Sequence, residues 1–376
     1  MTRPSGRSHN RGWRAWAPLV VGLSLVGVIG LGVAWSWRDP WPARVVIRPS
    51  RQNWPGGFAA NGRSYRTSGA GGVARWDVAT GREVGLDPLP TVWGQAPADD
   101  GRTLAGLVLA GDPATLAVAW VDAASGAIRA RFPIPPGYDY AQRPRLVAGG
   151  RAIRATLVRR DRGRAVATWD LATGAETRRE VGGPATPTGW RVEPIAVAPD
   201  GQIWAYPDPA HGGIVLWDPE TDRPRGPYLA ADAGMVGDPA RAAFGPDGRT
   251  LAVGEAGGRV GLWDVANGRQ LWSAPAYPAG HMACEFEFSP DGRLLATVGL
   301  DLGLGWRGWA RDQFNRRAPA AWSLPDGRGV VVLDVATGAV IARSPGSIHP
   351  QFSPDGRTVA THEADGTFSL RDLPRP

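Results

Sequence analysis

Four histidines (His211, His281, His349 and His362), one cysteine (Cys284) and the nearby acids Glu285 and Glu287 carry the richest chemistry in this chain. Imidazole, thiolate and carboxylate are the usual ligands of transition metals, and the same groups act as nucleophiles and proton carriers. Their spacing fits neither task. The histidines are scattered, without the short intervals of a metal site. His362 and Glu363 are adjacent, so on a strand their side chains point to opposite faces. Cys284 stands in the run Ala283 to Phe288, where a buried, inert thiol is expected. Gly303-x-Gly305-x-x-Gly308 has the glycine spacing of a dinucleotide loop, yet it neither follows a βαβ strand nor opens a helix with an acid behind it. There is no glycine-rich phosphate loop with lysine and no cysteine pair for haem attachment. Glu285, Glu287 and Arg241 become a site only if the fold brings several inner strands to one axis. We therefore assign no catalytic, cofactor-binding or metal-ligating residue, and expect no cofactor and no enzyme activity.

The elements that position these residues must be short and turn-rich. The chain has 376 residues, with 52 Gly and 35 Pro but no collagen period, so many tight turns are needed. Eighteen tryptophans exclude disorder as the explanation. The net charge of +7 resides in residues 1–51, where eight arginines (Arg3, Arg7, Arg11, Arg14, Arg38, Arg44, Arg48 and Arg51) face one acid, Asp39. The rest is balanced, which is a poor surface for phosphate backbones, so no nucleic acid is expected as partner. Lysine is absent, a bias toward arginine codons. A single cysteine excludes an internal disulfide framework.

Residues 1–16 form a basic tail. Residues 17–37 are 21 positions without charge, long enough at about 1.5 Å per residue to cross a hydrocarbon core of about 30 Å. Trp13 and Trp16 precede this stretch, and Trp35, Trp37 and Trp41 stand at its far end, as in an interfacial aromatic belt. A transmembrane helix or signal anchor is expected. The competing reading is a signal peptide cleaved after Ala34-Trp35-Ser36. Either way the body is expected on the extracytoplasmic side.

The body repeats. Trp76-Asp77-Val78-Ala79-Thr80-Gly81 returns as Trp169-Asp170-Leu171-Ala172-Thr173-Gly174, as Trp263-Asp264-Val265-Ala266-Asn267-Gly268 and as Leu333-Asp334-Val335-Ala336-Thr337-Gly338. Weaker copies centre on Asp122, on Trp217-Asp218 and on Arg371-Asp372. The successive aspartates are 45, 48, 48, 46, 70 and 38 residues apart. A second motif precedes the first: Phe288-Ser289-Pro290-Asp291-Gly292 matches Phe352-Ser353-Pro354-Asp355-Gly356, with Phe244 to Gly248 a close copy. Pro-Asp-Gly marks a hairpin turn, the alternating residues between the motifs read as strands, and the Asp to Gly run is the next tight turn. That makes four short antiparallel strands in about 45 residues, which is one propeller blade. A lone blade cannot bury both faces, so blades stack in a ring.

The Phe-Ser-Pro-Asp-Gly turn, the Trp-Asp dipeptide and the single Gly280-His281 resemble the WD-repeat family over residues 43–376. The resemblance implies an all-β fold: a seven-bladed β-propeller of four-stranded antiparallel blades, preceded here by one N-terminal transmembrane helix. Because Gly-His occurs clearly once, the family's His–Asp–Trp hydrogen-bond network is expected to be incomplete in most blades. The seventh unit lacks a fourth strand, and the orphan run at 43–48 is expected to supply it. Trp76, Asp77, Trp169, Asp170, Trp217, Asp218, Trp263, Asp264, Asp334 and Asp372 are read as structural turn and blade residues. The 70-residue step contains an insertion at 300–328, between the second and third strands of blade six. Its Trp306, Arg307, Trp309, Arg311, Phe314, Arg316, Arg317 and Trp322 are the residue types of interface hot spots, and they are the candidate partner-binding residues. The expected function is a membrane-tethered, non-catalytic scaffold for protein–protein interaction, monomeric as a propeller. The alternative is a ligand- or metal-binding propeller, hydrolase- or lactonase-like, using the central channel.

Overall fold

Two turn chemistries recur between the strands. In the Asp77 turn, the Thr80 N–H and hydroxyl both donate to Asp77 Oδ1 at 2.8 and 2.7 Å, and Gly81 donates its N–H to the Asp77 carbonyl at 2.8 Å. Gly81 holds φ 69°, a left-handed conformation open to glycine. The side-chain pattern recurs at Asp122, Asp170 and Asp334, and Asp218 and Asp264 accept the corresponding backbone N–H. In the other turn, Ser289 Oγ donates to Asp291 Oδ1 at 2.6 Å and accepts from Leu294 N at 2.9 Å. Ser353, Asp355 and Thr358 repeat this geometry.

Between these turns the chain forms seven four-stranded antiparallel sheets, each of neighbouring strands except the last. The computed structural model describes residues 41–374 apart from 51–52, 60, 70–71, 88–91, 98–102, 111–114, 123–124, 126, 162, 184–193, 209–210, 232–241, 279 and 302–327. Trp41–Pro376 is one compact unit. The architecture is an all-β seven-bladed propeller. Among the described residues no helix is long and apolar enough to cross a membrane, and the stretch 17–37 lies outside them.

The seventh sheet closes the ring. Val45–Ile47 pairs with Phe368–Asp372, followed inward by Thr358–Glu363 and Ser347–Phe352. Closure removes an open edge and joins the two ends of the body by backbone hydrogen bonds. Because Val45 faces Leu370 and Ile47 faces Phe368, the chain enters the ring at the end that carries the Pro-Asp-Gly and Asp-to-Gly turns.

Each Trp-Asp tryptophan is buried against the preceding blade. Trp76 packs with Val45, Ile47, Phe368 and Leu370 of blade seven, and Trp169 stacks on Phe132 of blade two with centroids 5.7 Å apart. Trp263 meets Ile214 and Leu216 of blade four, and Leu333 fills the same position against Leu262 and Val260 of blade five. Blade seven has Arg371 at this position. Its place against blade six is taken by Trp41, which is 5% exposed and packed with Ala296, Val298, Val330 and Val332. Trp41 Nε1 donates to the Asp372 carbonyl at 2.7 Å, and Arg371 Nε donates to the Trp41 carbonyl at 2.9 Å. This corrects the expectation that Trp41 belongs to an interfacial belt: it is a core residue of the seam between blades six and seven.

The Trp hydrogen-bond network is indeed partial. Trp76 Nε1 donates to Thr67 Oγ1 at 2.9 Å, whereas Trp263 Nε1 is buried without a hydrogen-bond partner. His281, of the one Gly-His dipeptide, stacks on Tyr277 with centroids 6.5 Å apart, and its buried Nδ1 has no hydrogen-bond partner.

Candidate functional site

The candidate partner-binding residues Trp306, Arg307, Trp309, Arg311, Phe314, Arg316, Arg317 and Trp322 lie outside the described residues, as do Gly303, Gly305, Gly308 and Arg241. Their roots are described. The insertion leaves blade six at Asp301, the end of the second strand Leu294–Asp301, and returns at Gly329, the start of the third strand Gly329–Asp334. Both strands are largely buried, with Leu295, Ala296, Val330, Val332 and Leu333 inside. Tyr277 braces the base: its hydroxyl donates to the Thr297 carbonyl at 2.7 Å, and burial pushes its phenol well up. A side chain at Gly299 would strike the Tyr277 ring, with a Cβ only 2.3 Å from it. Antiparallel alternation puts these roots at the end of the blade opposite to the Asp turns, and opposite to Arg44 and Trp41, where the chain enters the ring.

The inner strands of blades six and seven bring other polar residues together. Each carries a bulge, between Cys284 and Glu287 and between Ile348 and Gln351. At the bulges Glu285 and His349 both take φ 52°, a left-handed conformation that costs a non-glycine residue energy and clusters at functional or tightly determined positions. They face each other, with His349 Nδ1 2.9 Å from Glu285 Oε2. The His349 ring also stacks on His362, which stacks in turn on Phe368. Burial and the His349 charge hold His362 below the ordinary histidine range. Glu287 accepts the Phe352 N–H at 2.9 Å, and Tyr65 of blade one donates to Gln351 Oε1 at 2.8 Å. Two carboxylates of blade six are thus bound to blade seven and tie the seam. Cys284 is buried, and its carbonyl accepts the Thr297 hydroxyl at 2.9 Å. Among the described residues no group of three His, Cys, Asp or Glu could hold a metal ion.

Burial pushes the Glu287 carboxyl up to about 7, against a smaller lowering by the Phe352 N–H. Between the ordinary carboxylate range and about 7, the folded chain keeps a proton that the unfolded chain has released. Stability therefore falls as pH rises through that window and levels off above it. Thermal melts from pH 5 to 8 should show this fall as a drop of several degrees, the scale of about 2–3 kcal/mol. Glu287→Gln, which keeps the acceptor for Phe352, should remove most of it; an unchanged pH profile in the variant would assign the titration elsewhere.

A third cluster was not foreseen from the sequence. Arg371 Nη1 lies 2.8 Å from Glu363 Oε1 and donates to Thr361 Oγ1 at 2.6 Å. Glu363 also accepts from Ser347 Oγ and Thr361 Oγ1, each at 2.8 Å. Burial alone would push the Glu363 carboxyl up, but the Arg371 charge and these hydrogen bonds outweigh it and hold it low. His362 and Glu363 point apart, one to Phe368 and one to Arg371.

A family model described as outer membrane protein assembly factor BamB matches residues 114–374. Centriole proteome protein 16 of Chlamydomonas reinhardtii is 30% identical over 185 residues, which is 47% of this chain and 7% of that protein. The chain thus corresponds to a small part of that relative. Among solved structures, the β-propeller domain of Myceliophteria thermophila Cps50 (Swd1) superposes with a TM-score of 0.57 at 12% identity, covering 88% of this chain and 99% of that one, a likeness of fold alone.

Proposed function

Since the chain belongs to the family described as outer membrane protein assembly factor BamB, we propose that it is a non-catalytic propeller that holds partner proteins, fixed to a membrane by residues 17–37. The observation that carries this reading is where the polar motif residues go. The Asp residues of the repeated turns bind the N–H groups of their own turns, and Glu285, Glu287 and Glu363 bind across or within blades. What remains for recognition is the Trp- and Arg-rich insertion, whose residue types are those of interface hot spots. It is rooted at the end of the blades opposite to the entry of the chain. The family's name describes a factor in assembling outer membrane proteins, and a tethered, extracytoplasmic scaffold fits such a task.

Photo-crosslinking from single positions tests this. A photoreactive residue in place of Trp309 should give a protein adduct in native membranes. The same residue in place of Ala79, exposed in the Asp77 turn at the other end of the blades, should not. Adducts from position 79 but not from 309 would move the contact surface to the opposite end.

A second reading keeps the central channel as a ligand site. It is favoured by the facing left-handed residues Glu285 and His349. Metal analysis of the purified full chain separates the two, since a stoichiometric ion would overturn the pure scaffold.

A further inference from the structure

The outer strand of blade four is short and interrupted. Arg223–Pro224 contributes two residues, against six in Glu176–Val181 of blade three and six in Gln270–Pro275 of blade five. Pro224 has no N–H for the ladder, and the outer chain bulges at Gly226-Pro227 before Leu229 pairs again with Ile214. The apolar seal between blades three and four is made by Val166, Val181 and Trp217, among others.

Beyond the seal the two blades face each other with polar side chains. Strand register puts Arg154 opposite Thr168, Thr168 opposite Thr177 and Val166 opposite Arg179, so these share one face of blade three. Opposite stand the Asp218 turn and Arg223 and Arg225 of blade four. Between them lies a cleft of about 240 Å³ that opens onto a wider groove of about 630 Å³, the two sharing Arg179 and Glu220. Arg154 spans the cleft floor, 3.4 Å from both the Gly201 carbonyl and Glu220 Oε1. Arg179, Arg223 and Arg225 are exposed, and among the described residues none of them makes an ion pair. Arginine thus outnumbers the two acids of the lining, Asp218 and Glu220. Thr177 and Arg179 of Glu176–Val181 line the groove, and among the described residues no further strand pairs with the outer edge of that strand.

We propose that this groove binds an extended acidic segment of a partner protein. Its backbone would add to the outer edge of Glu176–Val181, as peptides add to exposed sheet edges, and its spaced carboxylates would meet Arg179, Arg223 and Arg225 in charge-assisted pairs. A continuous phosphate chain fits less well: Asp218 and Glu220 interrupt the positive lining and the body carries no excess charge, whereas separated carboxylates pass between them. The groove lies on blades three and four and the insertion on blade six, so this proposal stands or falls independently of the scaffold surface argued above.

The test is fluorescence anisotropy with the full-length protein in detergent and a labelled peptide, Glu-Val-Glu-Thr-Glu-Val-Glu. Saturable binding that weakens with salt is expected. Replacing Arg179, Arg223 and Arg225 together by alanine should weaken it at least about tenfold, the loss of one or two charge-assisted contacts. These side chains are on the surface, so the variant should melt with the wild type, and Arg179→Lys alone should keep most of the binding. The proposal is overturned if the peptide does not saturate, if the triple variant binds it equally, if the Gln-Val-Gln-Thr-Gln-Val-Gln peptide binds as well, or if inorganic phosphate or a single-stranded oligonucleotide displaces it more readily than unlabelled peptide does.

Discussion

Arg371→Ala is expected to lower the stability of the ring by about 3–5 kcal/mol, the cost of stranding one member of a buried ion pair. The guanidinium is 5% exposed and Glu363 18%, so neither charge is replaced by water when its partner goes. The loss reaches further than the pair. Arg371 Nε also holds the Trp41 carbonyl, and Glu363 also holds Ser347 of the inner strand. One substitution thus loosens the closing strand and the inner strand of the same blade. The effect should depend on pH. With Arg371 in place, Glu363 sits below its ordinary range, and its stabilising contribution is present at neutral pH and lost as pH falls through that lowered value. Without Arg371, burial dominates and the carboxyl takes up a proton more readily, so the deficit of the variant should shrink between pH 7 and 5. Arg371→Trp restores the dipeptide of the other blades but should not restore stability, because Trp41 already fills that seam. Urea unfolding of the three chains at two pH values decides the matter; a cost below about 1 kcal/mol at neutral pH is the scale of an exposed pair and would rule out a buried one.

Trp41→Ala carries the second large expectation, a loss of about 3–5 kcal/mol for deleting a buried indole. The ring packs against Ala296, Val298, Val330 and Val332, and small side chains cannot collapse to fill the hole. Its N–H also satisfies the Asp372 carbonyl. Trp41→Phe should retain most of the packing and lose about 1 kcal/mol for the hydrogen bond. Trp54, 56% exposed, is the control, and its replacement by alanine should stay within about 0.5 kcal/mol. Hydrogen exchange adds a spatial readout: in Trp41→Ala the amides of Val45–Ile47 should exchange faster than those of the inner strand Ser347–Phe352. Equal stability of Trp41→Ala and Trp54→Ala would mean that Trp41 does not close the ring.

These two residues also mark the limit of what could be read without coordinates. The blades were legible because their signals are local: Asp77 and Thr80, or Ser289 and Asp291, set a turn within a few residues. The need for a closing strand followed from counting strands against turns. Trp41 was misread because it ends an apolar stretch among Trp35 and Trp37, and its burial depends on a partner more than 300 residues away. One clue was present. Arg371 stands where blades one, three, four and five have tryptophan, so an apolar filler had to come from elsewhere in the chain. Glu285 and His349 could not be paired from spacing, since the bulges that turn them toward each other leave no composition signature. In the rim groove, the two prolines at 224 and 227 hinted at a short strand, but the convergence of Arg179, Arg223 and Arg225 depends on how two blades face each other.

We propose that the insertion on blade six is the surface through which this propeller holds another protein. Co-purification from native membranes tests it most directly, comparing the full chain with one in which residues 303–326 are replaced by a short Gly/Ser turn. The expected result is a protein partner recovered with the full chain and lost with the replaced one, while both chains melt alike. Recovery of the same proteins by a replaced chain that still melts as the full one does would contradict it.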